Sequence, residues 1–255
     1  MLILRSLLFN VAFYLNLLFW IVVLLPALAL PRRIFMRGAK FWGLSSFWLM
    51  RVLAGTKVEI SGRERIPEGG LLVASKHQSV WETFALLTLF EDPAFILKRE
   101  LMWIPFFGWY TWKGGSIPVN RKGGAQALMR MMTRARREIA KGRQILIFPE
   151  GTRRPAGAPP AYKHGIGHLY QALGAPCLPI ALNSGLYWPR RKFLRYPGTI
   201  RLEILDPIPT GLTREAFFKE MQNRIEAASD RLLDEGRREL GPSPAKEAAA
   251  PVPKT

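Results

Sequence analysis

From Ser6 to Leu30 the chain carries no charged residue. Twenty-five such residues make roughly 37 Å of helix, enough to cross a hydrocarbon core of about 30 Å. A chain that begins this way has to place a long apolar helix in lipid or against a protein surface. Pro26 and Pro31 weaken its last turn, so a half-inserted helix is also open. Ala27-Leu28-Ala29 resembles a signal-peptidase site, which would make the run a removed leader. Against that, only Arg5 precedes the run, whereas Arg32, Arg33, Arg37 and Lys40 follow it. The positive-inside rule then keeps the C-terminal side in the cytosol, at the cell (inner) membrane, with the run retained as an anchor. Phe41 to Ala54, with Phe41, Trp42, Phe47 and Trp48, reads as an amphipathic return helix at the interface.

Charge narrows the partners. The 37 Lys and Arg against 19 Asp and Glu leave +18, which calls for an anionic partner, either nucleic acid or a phospholipid surface. No zinc-finger or RNP-like signature appears, and the apolar leader favours an anionic membrane surface over nucleic acid. Apolar residues at 49% permit a real core. Cys177 is the only cysteine, which excludes an internal disulfide and fits a reducing compartment. Its apolar surroundings make it a small buried hydrophobe rather than a nucleophile.

Downstream, short β-type runs alternate with helical ones. Strands are expected at 57–61, 71–75, 94–98, 116–119, 145–148, 178–182 and 200–205, and helices at 81–90, 125–141 and 165–173. A longer helix from Arg214 to Glu239, striped by Phe217, Met221, Ile225 and Leu232, closes the chain and reads as packing. The alternation predicts an α/β domain over 55–240, preceded by a membrane anchor and interfacial helix over 1–54. The Pro/Ala-rich segment 241–255 is expected to be a disordered tail.

Three clusters could carry chemistry. Lys76-His77-Gln78-Ser79-Val80-Trp81-Glu82 offers a histidine with a carboxylate five residues on. That is a minimal general-base unit, although a His beside an acid is more often a structural pair. Five helical steps leave the two side chains about 140° apart, so they meet only if His77 precedes the helix that carries Glu82. Gly114-Gly115-Ser116-Ile117-Pro118-Val119-Asn120-Arg121 ends a short strand on an arginine whose planar fork suits a phosphate. Phe148-Pro149-Glu150-Gly151-Thr152-Arg153 follows a strand, where ligand sites of α/β sheets gather. His164 and His168 are four apart, but Gly165 and Gly167 loosen the helix and no metalloprotease glutamate accompanies them, so no metal is expected. Ser75 and Ser79 flank His77, yet no Gly-x-Ser-x-Gly elbow supports a serine hydrolase. Arg130, Arg134, Arg137 and Lys141 form a basic stripe, either a solvated face or a surface for anionic headgroups or an acidic acyl carrier.

With Leu178-Pro179-Ile180 as a fourth block, this ordered set resembles the 1-acyl-glycerol-3-phosphate acyltransferases, a family of glycerolipid acyltransferases, over residues 70 to 185. The family pattern is H-x4-D, G-x-x-[FI]-x-R, F-P-E-G-T-R and [VL]-P-[IV]. The chain departs from it at Glu82, where the family usually has Asp. The resemblance implies a mixed central sheet flanked by helices and preceded by an N-terminal membrane helix or helical hairpin. It further implies that His77 is the general base for an acceptor hydroxyl attacking an acyl thioester, and that Glu82 orients His77. Arg121, with Arg153 and Lys98, would hold the phosphate of a lysophospholipid acceptor. Glu150, with Gly151 and Thr152 of the same block, would help place its glycerol. Acyl-CoA or acyl carrier protein would be the donor, and an already activated thioester calls for neither metal nor other cofactor. Another lysolipid such as lyso-ornithine lipid, or a non-catalytic lipid-binding protein on the same fold, stays open as an alternative.

Overall fold

The computed structural model describes residues 1–241. The expected tail, 241–255, lies outside the described residues except for Gly241. Two helices open the chain: α1 (Leu2–Leu24), then α2 (Arg32–Leu49), which continues as a π-helical turn, Met50–Ala54. Next come β1 (Thr56–Ser61), β2 (Leu71–Ser75), α3 (Trp81–Leu89), β3 (Pro93–Lys98), α4 (Phe107–Lys113) and β4 (Ile117–Val119). They are followed by α5 (Gly124–Ile139), β5 (Gln144–Ile147), α6 (Gly165–Leu173), β6 (Cys177–Leu182), the short α7 (Ser184–Tyr187), β7 (Gly198–Ile204) and α8 (Arg214–Leu240). All seven expected strands form. α2 starts nine residues earlier than the expected Phe41, because Arg32 and Lys40 are tied to the domain rather than left in solvent.

The sheet runs β1-β7-β6-β2-β5-β3-β4. β6, β2, β5, β3 and β4 are mutually parallel, whereas β7 runs antiparallel to β6 and carries β1 with it. The five parallel strands therefore deliver their C-terminal ends to one edge, where loops are free to gather functional side chains. β2 is buried along its whole length, as an apolar run in the middle of a covered sheet must be.

α1 is long and apolar enough to cross a membrane, with mean hydropathy 2.3. It is also built into the fold. Phe9 and Phe13 are buried in the core with Phe84 and Trp188, and Phe9 meets the Trp188 ring edge-on at 5.1 Å. Near its start the Arg195 amide donates to Ser6 Oγ, and Asn10 donates to the Phe193 carbonyl. Near its end the Tyr110 hydroxyl donates to the Ile21 carbonyl. α2 returns beside it through Asn16–Ser46 and Trp20–Ser45 hydrogen bonds, and Arg32 forks onto Asp92. Burial raises the cost of ionising Asp92, but Arg32 and Arg143 outweigh it and hold that carboxyl below its ordinary value. Leu4, Leu8, Leu15, Phe19 and Val22 on the far face of α1 stay exposed.

Candidate functional site

His77 lies in the loop that leaves β2, four residues before α3 begins, and Glu82 stands in the first turn of that helix. The structure therefore places the pair in the one arrangement that the five-residue spacing permits. Glu82 Oε1 meets His77 Nδ1 at 2.9 Å and accepts the amides of Gln78 (2.6 Å) and Ser79 (2.7 Å). Its Oε2 accepts the Ser184 hydroxyl at 2.8 Å. α3, whose N-cap Val80 offers no side-chain hydrogen bond, thus has its preceding amides satisfied by a carboxylate of its own first turn. Glu82 is fully buried, and four donors stabilise a charge that burial alone would disfavour. The extra methylene relative to Asp does not break the contact with the ring.

Glu82 occupies Nδ1 and leaves Nε2 as the nitrogen open to chemistry, on a ring 13% exposed. Phe148 stacks on that ring, with centroids 3.9 Å apart and planes 12° from parallel. The ring is thus held from two directions. Its backbone is held as well: the His77 amide donates to Glu150 Oε2 (3.3 Å), and its carbonyl accepts the Arg154 amide (2.8 Å).

Glu150 faces inward. Its carboxyl group is wholly buried, with Oε1 taken by Lys76 Nζ at 3.1 Å and Oε2 by the His77 amide. Burial pushes Glu150 above the ordinary carboxylate range, while Lys76 and the His77 amide pull it back. Lys76 also reaches Glu226 of α8 (2.6 Å), which accepts the Tyr162 hydroxyl (2.6 Å). Burial and then Glu226 push the Tyr162 phenol up, so it stays a donor. Beside the glycerol-positioning role that the resemblance implied for Glu150, this geometry shows its carboxyl group holding the His77 loop. α8 is more than packing, because its Glu226 closes this network.

The remaining cations sit on the same edge at neighbouring strand ends. Arg121, exposed two residues beyond β4, donates from its guanidinium to the Gly151 carbonyl. Gly151 turns at φ +70°, a conformation open to glycine, and brings the Phe148–Arg153 loop under Arg121. Thr152 is exposed on that loop, and Arg153 is half-buried. Lys98, opposite Val119 in the β3–β4 register, pairs with Glu100 at 3.5 Å. Its side chain is about half exposed at the rim of the sheet edge. His164 stacks on Phe218, and His168 sits against the Arg214 guanidinium, so these two rings are engaged by separate neighbours. Sequence reasoning missed Lys76, Phe148 as a stacking platform, Ser184 and Glu226. Two lie inside quoted motifs, where adjacency to His77 and an aromatic before Pro149 were the available signals. The other two come from distant elements, and nothing local announces them.

The chain matches the Acyltransferase family over residues 57–183, which hold all four sequence blocks. The 1-acyl-sn-glycerol-3-phosphate acyltransferase of Pseudomonas aeruginosa is 39% identical over 209 residues, 82% of this chain and 80% of its own. The human 1-acyl-sn-glycerol-3-phosphate acyltransferase alpha is 30% identical over 214 residues, 80% of this chain and 74% of its own. Among solved structures, the 1-acyl-sn-glycerophosphate (LPA) acyltransferase PlsC from Thermotoga maritima superposes with a TM-score of 0.77. That match covers 91% of this chain and 98% of the other at 24% identity, and it shows the shared fold.

Proposed function

The chain belongs to the 1-acyl-sn-glycerol-3-phosphate acyltransferase family, and from that premise we propose that it acylates the free hydroxyl of 1-acyl-glycerol 3-phosphate, giving phosphatidic acid. The observation that carries the reading is the His77–Glu82 contact at 2.9 Å at the edge that also holds Arg121 and Arg153. His77 Nε2 takes the hydroxyl proton as the acceptor oxygen forms its bond to the thioester carbonyl. The C–S bond then breaks, and the imidazolium returns its proton to the departing thiolate. Glu82 fixes the ring with Nδ1–H toward itself and stabilises the cation that forms between the two steps. Holding both substrates in register can supply about 7 to 11 kcal/mol of the barrier.

Arg121 and Arg153 are assigned to the acceptor phosphate, with Lys98 at the rim. Arg121→Ala should raise the KM for the acceptor far more than that for the donor. A lost charge-assisted contact of this kind is worth about 1.5 to 3 kcal/mol, roughly ten- to a hundredfold. Equal effects on both substrates would assign Arg121 to holding the Gly151 loop instead. The donor carries the acyl chain on coenzyme A or on an acyl carrier protein. The exposed Arg130, Arg134 and Arg137 on α5 suit the anionic groups of either. The test of the acceptor is mass spectrometry of the products made by the purified chain from a panel of lysolipids and both donors. Phosphatidic acid should dominate, and a lyso-ornithine product in its place would redirect the assignment.

The apolar helix supports membrane association, and the reading here is an embedded hairpin on the cytoplasmic face of the inner membrane. Both ends of α1 touch the domain, at Ser6 and at Ile21, roughly 22 Å apart along the helix. A helix held at both ends cannot leave the domain's side of the bilayer, so its exposed face enters one leaflet. Exposed Trp103, Phe107, Trp109 and Trp112, beside the end of α1, extend the same apolar surface, and aromatic side chains favour the headgroup level. Arg33 and Arg37 remain exposed for anionic headgroups. Since Phe9 and Phe13 fill the core, the N-terminal run should be retained, and carbonate washing should leave the protein on the membrane. A mature chain that starts at Leu30, or full release by carbonate, would contradict this.

A further inference from the structure

The segment that joins α7 to β7 follows the 57–183 Acyltransferase match, and it approaches the proposed phosphate site. Arg190 NH1 donates to the Arg153 carbonyl at 2.8 Å. That carbonyl belongs to the same peptide unit as the Arg154 amide, which donates to the His77 carbonyl at 2.8 Å. A single peptide plane is therefore gripped from both sides, by Arg190 on one and by the His77 loop on the other. Arg190 Nε is buried and has no hydrogen-bond partner. Among the described residues no carboxylate pairs with Arg153, Arg190 or Arg191, and Arg153 and Arg191 stand close enough to Arg190 to lower its value. Burial is the larger cause of the lowered Arg190 value, and its like-charged neighbours add to it.

Three neighbouring cations with no carboxylate among them, two half-buried and Arg191 exposed, are electrostatically suited to an anion. The backbone agrees with a built feature rather than a loose loop. Arg191 adopts φ +58°, a left-handed conformation that non-glycine residues rarely hold. The loop is pinned to α1 through Ser6 and Asn10, and Arg195 lies over the Trp188 ring at 5.0 Å.

We propose that Arg190 is a specificity-determining residue that completes, with Arg153, the site for the acceptor's phosphate, while fixing the Arg153–Arg154 peptide behind His77. This rests on the acceptor reading above and adds the residue that selects a phosphate-bearing lysolipid over one without a phosphate. Arg supplies what the role needs: two parallel donors toward phosphate oxygens and a charge that does not titrate near neutrality.

The test is equilibrium binding of 1-acyl-glycerol 3-phosphate and of 1-acyl-glycerol, without donor, to the full chain in detergent micelles. Arg190→Gln should weaken binding of the phosphate-bearing ligand by about ten- to a hundredfold, with the phosphate-free ligand almost unaffected. Arg190→Lys, which keeps the charge but not the fork, should recover part of that loss. In turnover, Arg190→Gln should raise the acceptor KM and leave the donor KM unchanged. Unchanged binding of the phosphate-bearing ligand would overturn the proposal, as would an equal loss for both ligands. A Gln variant with a lowered melting temperature would shift the decision to Arg190→Lys, which must then bind phosphate-bearing ligand more weakly while melting like the parent. A wild-type chain that binds the acceptor selectively but never acylates it would instead defeat the functional reading and leave Arg190's role standing.

Discussion

Replacing His77 with Ala should reduce acyl transfer by about 10²- to 10⁴-fold, while the protein stays folded and membrane-bound. The other two histidines cannot stand in, because His164 is stacked on Phe218 and His168 lies beside Arg214. The fold should survive, because the side chain is partly exposed and its neighbours keep other partners. Glu82 retains the Gln78, Ser79 and Ser184 donors, and Glu150 retains Lys76. The expected signature is therefore a collapse of kcat with little change in melting temperature. The check is initial-rate assay beside thermal denaturation of the same preparation. A variant that keeps more than about one-hundredth of the rate would remove His77 from the chemistry, since a general base is worth at least that factor.

The second large effect is expected at Glu82, and here the two conservative substitutions separate charge from shape. Glu82→Gln can keep much of the local structure. Its amide oxygen can still accept from the Gln78 and Ser79 amides, and its NH₂ can donate to the Ser184 oxygen. What it loses is the negative charge that stabilises the His77 imidazolium while the proton is on the ring. The rate should fall by about 10²- to 10⁴-fold, by analogy with neutralised carboxylate partners of catalytic histidines. Glu82→Asp keeps the charge at the cost of one methylene and should be the better enzyme of the two. Steady-state kinetics with melting curves distinguish the outcomes. If Asp and Gln lose activity in proportion to lost stability, Glu82 is a helix-cap residue and nothing more.

That contrast also marks how far the sequence could be read. The His77–Glu82 geometry was legible because both residues lie in one strand-loop-helix unit. Their meeting depends only on where the apolar run of β2 stops and that of α3 starts. The placement of Arg121 and the Phe148–Arg153 loop at one edge follows from their each ending a strand in a parallel arrangement. The strand order was not legible, nor was the antiparallel setting of β7, because apolar runs do not encode their neighbours. Ser184, Glu226 and Arg190 escaped for the same reason: each reaches the site from an element far along the chain. Glu150 shows the converse. Its place in a motif suggests contact with substrate, and the motif gives no sign of its buried contact with Lys76 and the His77 amide. The early start of α2 was hidden by Arg32, Arg33, Arg37 and Lys40, which read as a cationic flank although two of them are bonded to the residues around Asp92.

The account stands on one arrangement: a neutral His77 whose Nδ1–H points to Glu82 and whose Nε2 is bare toward the acceptor. With three histidines in the chain, ¹⁵N-histidine labelling gives a spectrum in which His77 is assignable by comparison with the His77→Ala variant. The imidazole ¹⁵N shifts of the neutral ring report directly which nitrogen carries the proton. The account predicts the Nδ1–H tautomer for His77. A His77 found in the Nε2–H tautomer, with its proton already on the nitrogen that must accept one, would contradict it.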